Sequence, residues 1–182
     1  MAAMDASEFA MRARAIEWIL CDVDGVLTDG GLYYDHRGRQ TLRFNVKDGM
    51  GLKLAQRAGI KVGLLTARET GAIRHRAKEL HLDAAMTGIR DKGVRFAEFL
   101  EEKSCTANRV AYVGDDLADL AVLGRCGLTF CPSDAVAEVR AVVHRVLSTA
   151  GGRGAAREMV EHILKARGAW EEILAPFGFE HR

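Results

Sequence analysis

The stretch that decides the fold is WILCDVDGVLTDG, residues 18–30, close to the start of the chain. Its first four residues are apolar, and they lead directly into Asp22 and Asp24, with a glycine after the second aspartate. A short apolar run bounded by turn residues is typical of a buried strand. The run therefore predicts a strand whose carboxyl end carries two acidic side chains, at the edge of a sheet where ligands usually bind.

Similar apolar runs alternate with helical patterns along the rest of the chain. Strands are predicted at 18–23, 61–66, 109–114, 128–130 and 142–147, and helices at 48–58, 69–80, 91–103, 116–125, 134–140 and 155–167. On the helix at 91–103, one face is expected to be buried by Val94, Phe96, Ala97, Phe99 and Leu100. This alternation predicts an α/β fold, a Rossmann-like three-layer sandwich with a mostly parallel sheet and helices on both faces.

One segment interrupts the alternation. Residues 31–46 contain two β-prone runs around DHRGR, which predicts a small β-hairpin with a glycine in its turn. No Pro-rich or Ser-rich linker and no internal repeat is present. We therefore expect residues 1–182 to form a single domain with a hairpin insertion, followed by a C-terminal helix and tail at about 148–182.

Composition excludes several classes of protein. The 182 residues carry a formal net charge of +1 without a block of basic residues, which argues against nucleic acid as the main partner. No apolar run reaches the length of a membrane span, and the first residues lack a signal-peptide core, so no membrane partner and a cytoplasmic location are expected. The four cysteines match no zinc-binding spacing.

Polar side chains follow three of the predicted strands. Asp22 and Asp24 follow the first, Thr66 follows the second, and Asp115 follows the strand at 109–114, while Lys92 lies between the last two. Because parallel strands end at the same edge of a sheet, these side chains are expected to converge. Close carboxylates need a cation to stay ionised, and Mg²⁺ prefers oxygen ligands together with phosphate oxygens.

Each of these residues also has a structural interpretation. The two aspartates of DVD could cap a turn, and Thr66 could cap the helix that follows it. Asp119, one helical turn after Asp115, could simply complement a helix dipole. Arg68 and Arg76 could lie on a solvated helix face.

The motifs DVDGVLTD, LLTAR, DK and GDDLADL, within about residues 17 to 120, resemble the four motifs of the haloacid dehalogenase-like phosphatase superfamily. The resemblance implies that Asp22 is the nucleophile, forming an aspartyl-phosphate, and that Asp24 is the general acid and base. It implies Mg²⁺ held by Asp22, the backbone carbonyl of Asp24 and Asp115. Thr66 and Lys92 would bind the phosphoryl group, with Asp116 and Asp119 orienting Lys92 or metal-bound water.

A closer resemblance rests on FNVKDG and GGRGAARE, at 44–49 and 151–158. With the hairpin in place of a cap domain, these pieces resemble capless 3-deoxy-D-manno-octulosonate 8-phosphate phosphatases and the related acylneuraminate 9-phosphate phosphatases. The resemblance implies a sugar-acid phosphate substrate from cell-surface polysaccharide synthesis, and a homotetramer whose active sites are completed by neighbouring subunits. Arg68, Arg76 and Arg153 would bind the substrate, and removal of residues 149–182 would impair turnover more than folding.

Three departures leave the choice of sugar open. TAR at 66–68 replaces the usual TGR, GIRDKG differs from the common glutamine- and glycine-rich version, and no tryptophan follows GDDLADL. The alternatives are a nonulosonate 9-phosphate phosphatase and a non-catalytic oligomerisation or regulatory module of the same fold.

Overall fold

The computed structural model describes residues 4–178. The strands are β1 (Trp18–Cys21), β2 (Tyr33–Tyr34), β3 (Gln40–Thr41), β4 (Lys61–Leu65), β5 (Ala84–Met86), β6 (Val110–Val113), β7 (Leu128–Cys131) and β8 (Arg145–Val146). The α-helices are α1 (Ala6–Ala15), α2 (Val46–Arg57), α3 (Gly71–Glu79), α4 (Lys92–Glu102), α5 (Leu120–Leu123), α6 (Ala137–Val142), α7 (Ala155–Arg167) and α8 (Trp170–Leu174).

Six of the strands form one sheet in the order β5-β4-β1-β6-β7-β8, and every neighbouring pair is parallel. β1 lies inside the sheet between β4 and β6. Because all three strands are parallel, their carboxyl ends lie side by side at one edge of the sheet. β2 and β3 pair antiparallel in a separate ribbon, with Tyr33 opposite Thr41. The predicted parallel sheet is confirmed, and the predicted hairpin occurs within residues 31–46.

Both faces of the sheet are covered, because successive side chains of a strand point to opposite faces. On β1, Ile19 and Cys21 enter a core that α1, α2, α3 and α7 complete. Trp18 and Leu20 enter the second core, which is completed by α4, α5 and α6. This arrangement confirms the α/β three-layer prediction.

Among the α-helices and strands, α1, β5 and α8 were not predicted. β5 has only three residues, and α1 buries only Phe9 and Ala13, so neither produces a clear periodic pattern. The predicted helix at 116–125 is instead a 3-10 turn, Leu117–Asp119, followed by the short helix α5.

The expectation that Val94 fills the buried face of α4 is wrong, since 57% of Val94 is exposed. The buried positions of α4 are Lys92, Phe96 and Phe99, which follow the i, i+4, i+7 spacing of one helix face. Val94 lies outside that stripe.

α7 belongs to the core rather than to a detachable tail. Its buried side chains are Ala155, Ala156, Met159, Val160, Ile163 and Leu164. Removing residues 149–182 would therefore remove part of the core, and the expectation that turnover suffers more than folding is wrong. Residues 179–182 of the predicted tail lie outside the described residues. Between residues 4 and 178, no helix combines the length and apolar character needed to cross a bilayer.

Candidate active site

The segment that follows β1, residues 22–30, is called the aspartate loop. The amide of Asp22 donates to the carbonyl oxygen of Val113, at 3.0 Å, so the ladder between β1 and β6 continues to this residue. The loop then turns tightly, because the amides of Leu27 and Thr28 both donate to the carbonyl oxygen of Val23, at 3.0 Å. This turn holds the side chains of the loop at the carboxyl edge of the sheet.

Gly25 allows the aspartate loop to approach β6 closely. Its φ is +75°, a left-handed conformation that favours glycine. A Cβ atom at this position would also lie 2.0 Å from Asp115 Oδ2. Both the backbone conformation and the space therefore require glycine here.

An open cleft of about 290 Å³ lies where these strand ends meet. It is lined by Asp22, Asp24, Gly25, Gly30, Thr66, Ala67, Lys92, Asp115, Asp116, Ala118 and Asp119. The structure thus brings together the seven residues that the sequence singled out as nucleophile, acid, phosphate ligands, metal ligands and their outer partners.

Lys92 is the cation of the cleft. It is the first residue of α4, directly after Asp91, whose side chain caps the helix. Its Nζ lies 2.8 Å from Asp22 Oδ1 and 2.7 Å from Asp119 Oδ1. Burial acts to lower the pKa of Lys92, but the two carboxylates outweigh it and raise the pKa above its ordinary value.

Asp119 is saturated with hydrogen bonds. Its Oδ1 accepts from Lys92 and from the hydroxyl of Tyr112, at 2.7 and 2.5 Å. Its Oδ2 accepts from the amides of Asp115 and Asp116, at 2.9 and 3.2 Å. Four donors occupy a side chain that is fully buried, so Asp119 fixes its neighbours rather than offering a free ligand atom.

Asp115 is in the opposite situation. Its Oδ1 is buried and has no hydrogen-bond partner among residues 4–178. Burial, followed by the charges of Asp22 and Asp119, raises the pKa of Asp115 to about 8. The pKa of Asp22 is raised to about 6, by burial first and then by Asp119, while Lys92 opposes the shift.

These aspartates fit a hard divalent cation. Carboxylate oxygens of Asp22, Asp115 and Asp119 lie within 4.8 Å of one another. Because Asp119 is already saturated, Asp22 and Asp115 are the side chains suited to hold the ion. Mg²⁺ typically uses one or two carboxylates and completes its shell with water and phosphate oxygens.

Thr66 and Asp24 lie on the other side of the cleft. Thr66 is buried at the end of β4, and its Oγ1 accepts a hydrogen bond from the amide of Arg68 at 3.2 Å. The cap of α3 is Thr70, whose Oγ1 accepts from the amide of Ile73, so the alternative of Thr66 as a helix cap is wrong. Arg68 Nε donates to Asp24 Oδ2 at 2.5 Å.

The other two arginines are placed differently. Arg76 does not line the cleft; it donates to the carbonyl oxygen of Asn45 and pairs with Glu79, at 3.2 and 2.9 Å. Arg153 is exposed in residues 150–154, which we call the glycine turn, and lines a separate groove of about 380 Å³. Of these three arginines, all among residues 4–178, Arg68 is the one that hydrogen-bonds a residue of the cleft.

Sequence reasoning missed Tyr112, Asn45 and Asp48. Tyr112 appeared as one more apolar residue of a buried strand, although its hydroxyl needs a partner when buried. Asn45 and Asp48 belong to FNVKDG, which was noted as a motif without roles for its members. Their polar side chains at the start of a helix were the available signal.

Comparisons with known proteins show which family the chain belongs to. The chain is 40% identical over 153 residues to the 3-deoxy-D-manno-octulosonate 8-phosphate phosphatase KdsC of Haemophilus influenzae, covering 84% of this chain and 85% of that protein. The Yersinia pestis 3-deoxy-D-manno-octulosonate 8-phosphate phosphatase superposes with a TM-score of 0.87 at 36% identity, covering 90% of this chain and 89% of that one. No protein-family model matches the chain.

A third relative was solved with ligands. The 3-deoxy-D-manno-octulosonate 8-phosphate phosphatase of Moraxella catarrhalis, in complex with a magnesium ion, a phosphate ion and KDO, superposes with a TM-score of 0.91. It is 33% identical, and the match covers 94% of this chain and 98% of that one. The shared fold and high coverage show that this chain is a phosphatase of the haloacid dehalogenase-like superfamily and belongs to the 3-deoxy-D-manno-octulosonate 8-phosphate phosphatase family.

Proposed function

We propose that this protein hydrolyses 3-deoxy-D-manno-octulosonate 8-phosphate to the free sugar acid and inorganic phosphate, with Mg²⁺ as cofactor. The observation that carries the proposal is that Asp22 contacts Lys92 and lies close to Asp115, whose Oδ1 is unpaired among residues 4–178. A nucleophilic carboxylate, a phosphate-binding cation and a metal ligand lie together in one open cleft. The relatives' names and the Moraxella catarrhalis complex support this choice of substrate.

The reaction would take two steps. A carboxylate oxygen of Asp22 attacks phosphorus, the bond from phosphorus to the sugar oxygen breaks, and Asp24 gives the leaving alkoxide a proton. In the second step a water attacks the phosphorus of the aspartyl-phosphate. Asp24 accepts the water's proton, and the bond between phosphorus and the Asp22 oxygen breaks to release phosphate.

The surrounding groups would stabilise the charge on the phosphoryl oxygens. When bound by Asp22, Asp115 and the backbone carbonyl of Asp24, Mg²⁺ supplies positive charge beside the phosphoryl group. Lys92 supplies a second positive charge and Thr66 a hydroxyl donor. Asp119 keeps Lys92 in position, and Asp116 caps the turn that carries Asp119.

Arg68 is the residue that would recognise the sugar acid. Its Nε is used by Asp24, which leaves the amino groups Nη1 and Nη2 for the substrate carboxylate. A guanidinium suits this role because it can bind a carboxylate through two parallel hydrogen bonds. Arg76 and Arg153, which do not reach the cleft of their own chain, would contribute only across a subunit contact.

Such a contact is part of the proposal. The hairpin exposes Leu32 and Tyr34, at 56% and 62%, and Val46 beside it is 81% exposed. A set of exposed apolar side chains of this kind is typical of a protein–protein interface. We propose a homotetramer in which the hairpins pack together and neighbouring subunits complete the open cleft.

The test is a substrate panel. Purified protein is given 3-deoxy-D-manno-octulosonate 8-phosphate, an acylneuraminate 9-phosphate and small phosphate monoesters, with Mg²⁺ or with EDTA, and kcat/KM is measured for each. The proposal expects the octulosonate ester to be preferred and EDTA to abolish turnover. Preference for the nine-carbon ester would select the alternative substrate. Full activity of Asp22→Asn would refute the mechanism, and no turnover of any ester would favour a non-catalytic module.

A further inference from the structure

The glycine turn packs against the aspartate loop of the same chain with no room for side chains. A Cβ atom at Gly151 would lie 1.9 Å from the carbonyl oxygen of Gly25, and one at Gly152 would lie 2.4 Å from the amide nitrogen of Asp29. The amide of Gly152 also donates a 2.9 Å hydrogen bond to the carbonyl oxygen of Val26. Backbone therefore touches backbone between these two segments.

Gly151 and Gly152 need to be glycine for different reasons. Gly152 has a φ of +63°, so its backbone conformation alone disfavours a side chain. Gly151 is not among the glycines with positive φ. Only the lack of space excludes a side chain at Gly151, and a methyl group there would push directly on Gly25.

Polar side chains from two other segments hold the glycine turn in place. The side-chain amide of Asn45 donates to the carbonyl oxygen of Gly152, at 3.2 Å. The amide of Gly151 donates to Asp134 Oδ1, at 2.9 Å, from the segment that follows β7. Hydrogen bonds from Asn45 and to Asp134 thus fix the turn, while its central backbone contacts the aspartate loop.

Asp48 fixes the helix that follows the turn. The cap position of α7 is Gly154, which has no side chain to offer. Asp48, a residue of α2 that is only 2% exposed, instead accepts the amide of Arg157 at 3.1 Å. Burial raises the pKa of Asp48, and the backbone amides at the start of α7, that of Arg157 first, oppose the rise. A buried acidic side chain therefore joins α2 to the start of α7.

Gly25 connects this contact to the cleft. Its carbonyl oxygen lies against Gly151, while a Cβ atom on its other side would lie 2.0 Å from Asp115 Oδ2. A displacement of Gly25 would therefore change the space between Asp115 and the loop that carries Asp22. We propose that Gly151 is a positioning residue for the metal-binding aspartates, and that Asn45 and Asp48 hold Gly151 in place.

The proposal rests on the proposed function for the identity of the ion, but its main test uses binding rather than turnover. Isothermal titration with MgCl₂ alone, on the full chain, is expected to show Mg²⁺ affinity about tenfold weaker for Gly151→Ala, because small displacements of ligand groups are costly. Gly71→Ala is the matched control. A Cβ atom at Gly71 meets nothing within 4 Å, and its φ is not positive, so its affinity should be unchanged.

A second variant keeps the test decisive if Gly151→Ala does not fold. Asn45→Ser retains an acceptor for the amide of Lys47, which Asn45 now caps, but replaces the side-chain amide that donates to Gly152 by a shorter hydroxyl group. We expect about threefold weaker Mg²⁺ binding, as for the loss of one hydrogen bond. Folding of every variant is checked by circular dichroism and thermal unfolding.

Kinetics separate a positioning role from a general loss of structure. In folded Gly151→Ala, kcat for the sugar phosphate should fall about tenfold while KM changes little, since the sugar acid is proposed to bind Arg68, which follows β4 and does not belong to the glycine turn. Wild-type Mg²⁺ affinity in a folded Gly151→Ala would overturn the proposal, as would wild-type affinity in Asn45→Ser if Gly151→Ala cannot be obtained. If the wild type hydrolyses no sugar phosphate but the variants bind Mg²⁺ more weakly, the proposed function fails and the positioning role stands.

Discussion

Tyr112 donates its hydroxyl hydrogen to the same oxygen of Asp119 that binds Lys92. The tyrosine is fully buried, and burial, followed by the charge of Asp119, raises its pKa well above the ordinary value, so it remains a hydrogen donor. Lys92 therefore shares Asp119 Oδ1 with a second donor while it also contacts Asp22. Removal of that donor would strengthen the hold of Asp119 on Lys92.

We therefore predict that Tyr112→Phe folds but turns over more slowly. The loss of one buried hydrogen bond costs about 1 kcal/mol. An activation free energy raised by that amount lowers kcat roughly fivefold. The KM for the sugar phosphate should change much less than kcat. Steady-state kinetics would contradict the prediction if KM rose while kcat stayed constant.

Asp115→Asn is predicted to stabilise the metal-free protein. Burial and the charges of Asp22 and Asp119 disfavour the ionised form of Asp115, and asparagine removes that charge while it keeps the size of the side chain. In the wild type, the pKa of Asp115 is raised from its ordinary value of 3.8 to about 8 in the folded chain. At a pH between these two values, the folded chain holds a proton on Asp115 that the unfolded chain has released. The free energy of unfolding of the metal-free wild type should therefore fall as pH rises through that interval.

The amide cannot titrate, so the stability advantage of Asp115→Asn should grow from about pH 5 to about pH 8. Saturating Mg²⁺ should reverse the order, because the ion stabilises the folded wild type and binds the variant poorly. Thermal unfolding with and without Mg²⁺ measures both effects. An equal Mg²⁺-induced rise in Tm for the two proteins would argue against Asp115 as a ligand.

Arg68→Lys is predicted to impair recognition of the sugar acid. Lysine keeps the positive charge near Asp24 but cannot bind a carboxylate through two parallel hydrogen bonds. We expect KM for the octulosonate ester to rise about tenfold, in line with the loss of one charge-assisted hydrogen bond. A phosphate ester without a carboxylate should be hydrolysed as well by the variant as by the wild type.

Arg74→Lys provides the matched control for Arg68→Lys. Arg74 lies on α3 and pairs with the exposed Glu69, away from the aspartates. Its substitution should change neither KM nor kcat. A rise in KM for both classes of ester in Arg68→Lys would instead show that the arginine serves mainly to orient Asp24.

The proposed assembly is tested at the hairpin. Leu32→Asp places a charge among the exposed apolar side chains of the hairpin, where it would disrupt the proposed contact between subunits. We expect light scattering to show a species smaller than the wild-type assembly. Val94→Asp, on α4, is matched in exposure, at 57% against 56%, and should leave the assembly intact. A monomeric wild type would exclude the homotetramer.

The sequence predicted the parallel sheet and the convergence of Asp22, Asp24, Thr66, Lys92 and Asp115, because both follow from local patterns and from the common edge of parallel strands. It did not predict that Asp119 would be saturated while Asp115 keeps an oxygen without a partner in the described part of the chain, since those states depend on the rotation of individual side chains. The exposure of Val94 was missed because a helix pattern does not reveal how wide the covered stripe is.

The contact between Asp48 and Arg157 joins residues 109 positions apart in the chain. The aspartate loop precedes the glycine turn in the chain, and the long segment between them contributes most of the sheet. The cleft can therefore take its final shape only after α7 has docked against α2. A chain cut before the glycine turn would carry every acidic residue of the site without the backbone that supports the aspartate loop, and we expect it to bind Mg²⁺ poorly.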